Sequence, residues 1–398
     1  MKSNITHMFT IYKINKIIHY YKMDLKIQPH NLLYQLTKKF NYSPSTMILF
    51  KQLTHFISDV IQDETCMNNQ SHENHLHDLL CNFSLSYIHI PTKSEELKKH
   101  ASLVNNKKLL GEGTNGRIYK SGIFQGNPIV TKTKKKLSNH TIYDIYVNFV
   151  ILNSFLLQNK LQYNLIPSYG IFLCSTNENG TEICLPSSKQ KHIFLVQKEI
   201  SGTTLSKQLP TITVERFKEI VTEILDVLIT FENSVYQLYH TDLHASNIIM
   251  SYGDDHKEHP VLLDFELCSF TVMDEENKPH RFRLNSVENK YCKKEYITSG
   301  AHDIILLFAH ASAFRNPDLH TFCMNSLYIL CKEFWKDINT PYQISAELFK
   351  NQYHRWIYDL LYECEEILQE PNKNIVHKHN IEILKKMSYQ FIKDQLEL

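Results

Sequence analysis

His240-Thr241-Asp242-Leu243-His244-Ala245-Ser246-Asn247, running on into the apolar Ile248-Ile249-Met250, is the stretch on which the reading of this chain turns. An Asp and an Asn on one short loop, followed by a strand-forming run, can bring a carboxylate and an amide oxygen into one small site. Downstream, Val261-Leu262-Leu263-Asp264-Phe265-Glu266 is a second apolar run that delivers another carboxylate at its end. Upstream, Leu109-Leu110-Gly111-Glu112-Gly113-Thr114-Asn115-Gly116-Arg117-Ile118-Tyr119 reads as a glycine turn between two strands. A strand rather than a helix follows that turn, which argues against a dinucleotide fold, where a helix N-terminus receives the pyrophosphate. The chain has only 10 Gly in 398 residues and none before Gly111, so the concentration at 111, 113 and 116 carries weight. Between these landmarks, Ile129-Val130-Thr131-Lys132 places a Lys on a strand, while Lys134, Lys135 and Lys136 read as a solvated strand end.

Two carboxylates, one amide, a glycine turn and a Lys are the parts phosphoryl transfer needs: a base for the acceptor hydroxyl, oxygen ligands for Mg²⁺, and positive charge on the phosphates. In this order and spacing they resemble the protein-kinase signature of a Gly-rich loop, a strand Lys, an H-x-D-L-x-x-x-N loop and a D-F-G-like run. The resemblance covers roughly residues 105–395. It implies an α+β, two-lobed protein-kinase-like fold: a helical N-terminal extension over 1–104, a small β-rich lobe over 105–200 and a helical lobe over 201–398. It further implies Asp242 as catalytic base, with Asn247 and Asp264 as Mg²⁺ ligands. Lys132 would hold the α- and β-phosphates of ATP, covered by Gly111, Gly113 and Gly116. Backbone groups of Lys198 and Ile200 would meet adenine, behind Gln197 as gatekeeper. Asp303 resembles the helix-start Asp that braces the catalytic loop. The implied activity is ATP- and Mg²⁺-dependent transfer of the γ-phosphoryl group to protein Ser/Thr hydroxyls.

The chain departs from that signature at several positions. Thr241 stands where an Arg would clamp a phosphorylated activation loop, so that mode of switching is not expected. His244 replaces a Lys two residues after the base, and Glu266 replaces the Gly of D-F-G. Asp-Phe-Glu together with Asp-Leu-His also resembles aminoglycoside and choline kinases, which makes a small-molecule kinase the alternative substrate class. Asn148 occupies the place of the helix Glu that pairs with the strand Lys, with Asp144 one turn earlier as a stand-in. That substitution motivates a third reading, a pseudokinase scaffold. Thr298-Ser299-Gly300 lies where an A-P-E motif would be.

Composition narrows the classes further. Lys plus Arg number 43 against 42 Asp plus Glu, a net charge of +1, which gives no electrostatic ground for nucleic acid or an anionic membrane as partner. The expected partners are ATP and a protein substrate. The nine Cys are scattered with no C-x-x-C pair, fitting a reduced compartment. No secretory h-region is seen near Met1 and no apolar run is long enough to span a bilayer, so the expected location is the cytoplasm. Abundant Lys, Asn, Ile and Tyr suit an AT-rich genome, compatible with a large DNA virus (then the host cytoplasm) or an intracellular microbe. His72, His75 and His77 near Cys66 lack a paired Cys set and are not read as a zinc site.

Pattern also sets local expectations. Strands are expected at 108–120 around the glycine turn, at 127–134 after a Gln125-Gly126-Asn127 turn, at 165–174 and at 191–199, with a hairpin signal at Asn179-Gly180. Helices are expected over 142–157, along the stripe Phe217, Ile220, Val221, Ile224, Leu225, Leu228 and Phe231, and at the far end around Ile381, Leu384, Phe391 and Ile392.

Overall fold

The computed structural model describes residues 48–49, 52–53, 108–112, 116–124, 126–134, 139–158, 160–176, 182–183, 192–274, 276–283, 300–331 and 387–398. The chain is a mixed α+β protein. Of the helical extension expected over 1–104, residues 48–49 and 52–53 are described; they are helical, with Leu49 and Leu53 buried. The rest of that expectation, the Asn179-Gly180 hairpin, the histidines at 72, 75 and 77, Thr298-Ser299, and Ile381 with Leu384 lie outside the described residues. The described residues fall into two compact units, divided at 47/48, 50/51, 139/140, 168/169 and 197/198, with a few strand and helix ends crossing these points.

The first unit is a six-stranded sheet in the order β1-β2-β3-β6-β4-β5. Its strands are β1 (Lys108–Glu112), β2 (Gly116–Phe124), β3 (Asn127–Lys134), β4 (Ser168–Thr176), β5 (Glu182–Ile183) and β6 (His192–Lys198). β1, β2 and β3 form an antiparallel meander in which Ile118 faces Lys132 and Phe124 faces Asn127. The β2–β3 turn needs Gly126, whose φ of +81° suits a residue without Cβ. Along β3, Ile129, Thr131 and Thr133 are buried, and the two-residue period puts Lys132 on the opposite face. The buried Thr131 hydroxyl lies 2.6 Å from that of Ser121, so neither is left unsatisfied.

The second unit opens with α1 (Asn139–Ile145), a π-helical turn (Tyr146–Ile151) and α2 (Leu152–Leu157), in the region where the 142–157 pattern predicts one regular helix. The π turn has a local cause of cohesion: the Leu152 amide donates to the Val147 carbonyl, one residue further back than in an α-helix. Asn148 Nδ2 donates to the Asp144 carbonyl at 2.8 Å, the acceptor an α-helical Asn148 amide would use. β7 (Thr203–Thr204), α3 (Leu205–Gln208) and α4 (Val214–Glu232) follow. The expected stripe on α4 is buried from Phe217 to Phe231, and Thr213 caps the helix by accepting the Arg216 amide at 3.2 Å.

The remaining elements are β8 (Ile248–Tyr252), β9 (Glu258–Leu262), β10 (Ser269–Met273), β11 (Pro279–Arg283), α5 (Gly300–Ser312), α6 (Pro317–Cys331) and α7 (Tyr389–Gln395). β7-β8-β9 form a three-stranded sheet and β10-β11 a hairpin. The hairpin's Phe270 and Phe282 stack at 5.4 Å and receive Tyr143 at 5.0 and 5.6 Å. Tyr146 stacks on Phe270 at 5.8 Å, so four aromatic rings tie the first helical segment to the hairpin.

Candidate functional site

The β8–β9 register builds the centre of the site. Ile248 faces Leu262, and the Leu263 amide donates to the Asn247 carbonyl at 2.9 Å. Asn247 therefore leaves the loop at the point where β9 ends and Asp264 begins. A single 3₁₀ turn (Ala245–Asn247) connects Asp242 to Asn247, capped by His244, whose Nδ1 accepts the Ser246 amide at 3.3 Å. Asn247 Nδ2 donates to the Asp242 carbonyl at 2.9 Å and to Asp242 Oδ2 at 3.3 Å. The carbonyl can only accept, which fixes the amide nitrogen on that side and turns Oδ1 away from Asp242.

The loop is braced from beneath. Asp303, fully buried near the start of α5, accepts the His240 amide on Oδ2 at 3.0 Å. His240 is itself fully buried between the loop and the end of β9: Nε2 lies 2.7 Å from the Leu263 carbonyl and Nδ1 accepts the Asp242 amide at 3.4 Å. A carbonyl cannot donate, so the proton sits on Nε2, and burial holds the imidazole pKa down at about 4, hence neutral at pH 7. Phe265 packs against its ring at 4.6 Å. Thr241 adopts φ +59° and Asp264 φ +56°. Such left-handed geometry is costly for a β-branched residue and is held here by the Thr241 hydroxyl donating to the Leu267 carbonyl. Thr241 thus fastens the 240–247 loop to the segment after Asp264 through a neutral hydrogen bond.

Burial pushes the Asp242 carboxyl up to about 7, and the charges of Asp264 and Asp303 add to it, against the opposing Asn247 hydrogen bond. A carboxylate that gains its proton near neutrality is matched to taking one from a hydroxyl. His244 Nε2 stands 4.0 Å from Asp242 Oδ2. Asp303 is raised to about 6, again first by burial, with its hydrogen bonds opposing.

Asn247 and Asp264 suit Mg²⁺ by the chemistry of the donor set. Both are hard oxygen donors, brought to adjoining loop ends, with an acidic neighbour in Asp242 and no thiolate or imidazole required. Two protein oxygens plus phosphate and water oxygens are the usual complement for that ion. Among the described residues no group of three or more His, Cys, Asp or Glu forms a metal site by itself.

The other sequence-derived residues are distributed as follows. Gly111, Gly116 and Lys132 lie in the first unit, on β1, β2 and β3, and Lys132 is partly exposed. Gly113 lies outside the described residues. Lys198, the last residue of β6, and Ile200 fall on the second unit's side of the 197/198 division; the Lys198 amide donates to the Pro167 carbonyl at 3.0 Å and is not available to a ligand. Gln197 is buried. Asn148 and Asp144 are both buried and bonded to each other, Nδ2 to Oδ1 at 3.1 Å. Sequence reasoning missed two contributors: the Thr241–Leu267 tether, and Tyr389, whose hydroxyl donates to Asp303 Oδ2. The second is remote in sequence and has no local signal.

No protein-family model matches the chain, and the search of curated proteins returned no significant match. Among the described residues no helix is long and apolar enough to cross a membrane.

Proposed function

We propose that the protein is a cytoplasmic phosphotransferase of the protein-kinase type, moving the γ-phosphoryl group of ATP to Ser/Thr hydroxyls of a protein substrate. The observation that carries this reading is the hydrogen-bonded Asp242–Asn247 pair, set on a braced loop beside Asp264, with Asp242 protonating near neutrality. The strand order β1-β2-β3-β6-β4, with Lys132 on the third strand and a helical segment directly after it, supports a two-lobed kinase arrangement.

In this reading the acceptor hydroxyl donates to the Asp242 carboxylate, which orients the oxygen for in-line attack and takes its proton as the new P–O bond forms. The bond from the γ-phosphorus to the β–γ bridging oxygen breaks, and ADP leaves with that electron pair. Asn247 holds Asp242 in place through Nδ2. His240, neutral and doubly bonded, fixes the loop on which the base sits. Lys132 and the glycines of the β1–β2 turn are the phosphate ligands of ATP. Asn247 and Asp264 would hold Mg²⁺, which would supply positive charge against the charge growing on the phosphoryl oxygens. Transfer of label from γ-labelled ATP, compared between wild type and Asp242→Asn, tests the assignment.

One observation favours a second reading, a kinase for a hydroxylated small molecule. The neutral Thr241–Leu267 tether stands where a phosphate-clamping Arg would be, alongside Asp-Phe-Glu. Offering casein and a panel of aminoglycosides and amino alcohols in parallel separates the two: label on casein supports the first, label confined to a small molecule the second.

A further inference from the structure

Asp303 has more to hold than the catalytic loop. The same Oδ2 that accepts the His240 amide accepts the hydroxyl of Tyr389 at 2.5 Å, the length of a charge-assisted O–H···O⁻ bond. Both side chains are completely buried. A second tie runs in parallel: the Tyr389 amide donates to Glu232 Oε2 at 3.1 Å, while Glu232 Oε1 accepts the hydroxyl of Tyr239 at 3.2 Å, the residue directly before His240. The Tyr239 and Tyr389 rings lie 5.8 Å apart. Two carboxylates on two different helices therefore join residues 239–240 to residue 389. Residue 389 is in turn anchored by the Ser388 cap, which accepts the Phe391 amide at 3.1 Å, by buried Ile392, and by Lys393 on Asp226 at 2.5 Å.

We propose that Tyr389 is a positioning residue for the catalytic loop: through Asp303 and Glu232 it makes docking of residues 387–398 a condition for holding Asp242 in register. The proposal rests on the phosphotransferase reading for its consequence in turnover, and not for the brace itself. The geometry favours positioning over general packing because the hydroxyl meets the one oxygen that also holds the His240 amide. Tilting that carboxylate moves the peptide two residues before the base.

The test is Tyr389→Phe in the full chain, read by site-resolved amide exchange and by turnover. The expected result is faster exchange at the His240 amide, with amides at Val221 and Leu225 in α4 and at Leu327 in α6 unchanged. With it, kcat falls about tenfold at unchanged KM for ATP, the size expected for one hydrogen bond to a charged group. Ser388→Ala, which strips the cap of α7 and leaves the hydroxyl in place, gives a smaller change at His240 in the same direction. It serves as the test should the Phe variant not fold. Unchanged exchange at His240, or an equal rise at all four amides, overturns the proposal. If wild type transfers no phosphate to any acceptor, the kinase reading fails while local exchange at His240 still decides the brace.

Discussion

Replacing Asp242 with Asn removes the proposed base and, by the same electrostatics, makes the protein more stable. Burial first, then the charges of Asp264 and Asp303, raise this carboxyl from 3.8 to about 7. For an acid raised in the folded state, stability is fully present below the unfolded pKa and is lost as pH rises through the folded one. Wild type therefore gives up stability between about pH 4 and pH 7, at most about 4 kcal/mol on the full span. The side chain is 29 % exposed, and solvent screening brings the expected figure to about 2 kcal/mol. Asn is isosteric and its Oδ1 still accepts from Asn247 Nδ2, so little packing is lost. In a thermal melt without Mg²⁺ or nucleotide, Asp242→Asn should match wild type at pH 4 and exceed it by several degrees at pH 8. An equal or lower melting temperature at pH 8 would refute the claim that this loop stores electrostatic strain for function.

Other perturbations separate structural from functional roles. Thr241→Val removes the hydrogen bond to Leu267 that holds the left-handed backbone, and should cost at least about 1–2 kcal/mol in a denaturant titration by leaving a carbonyl unpaired. Gly202→Ala would put a Cβ 2.1 Å from the Met250 carbonyl oxygen where β7 meets β8, so the backbone must shift; a melting temperature at or above wild type would contradict that packing. Gly111→Ala meets no atom within 4 Å; its melting temperature should stay at the wild-type value while KM for ATP rises, whereas an unchanged KM would remove Gly111 from the nucleotide assignment.

Much of the scaffold around the site was legible because its signals are local. The strand 127–134 emerges with the expected bounds, since a glycine turn and a two-residue period define it. The helical stripe from Phe217 to Phe231 is buried as its spacing requires. Asp242, Asn247 and Asp264 come together because a short loop and one antiparallel register are enough to do it. Other features needed distant partners. The β10–β11 hairpin alternates in sequence, yet its stability comes from Tyr143 and Tyr146, far upstream. The π turn at 146–151 interrupts what reads as one helix, and no local residue pattern distinguishes it. Tyr389 is 86 positions from Asp303, and only the folded chain pairs them.

The most direct measurement of the central claim is transfer of labelled γ-phosphate from Mg²⁺-ATP to casein and to a basic protein, with wild type and Asp242→Asn side by side. Label with wild type alone, and binding of Mg²⁺-ATP retained in the variant, is the predicted result. Equal label with both proteins, or no label on any acceptor from folded wild type that binds Mg²⁺-ATP, would contradict it.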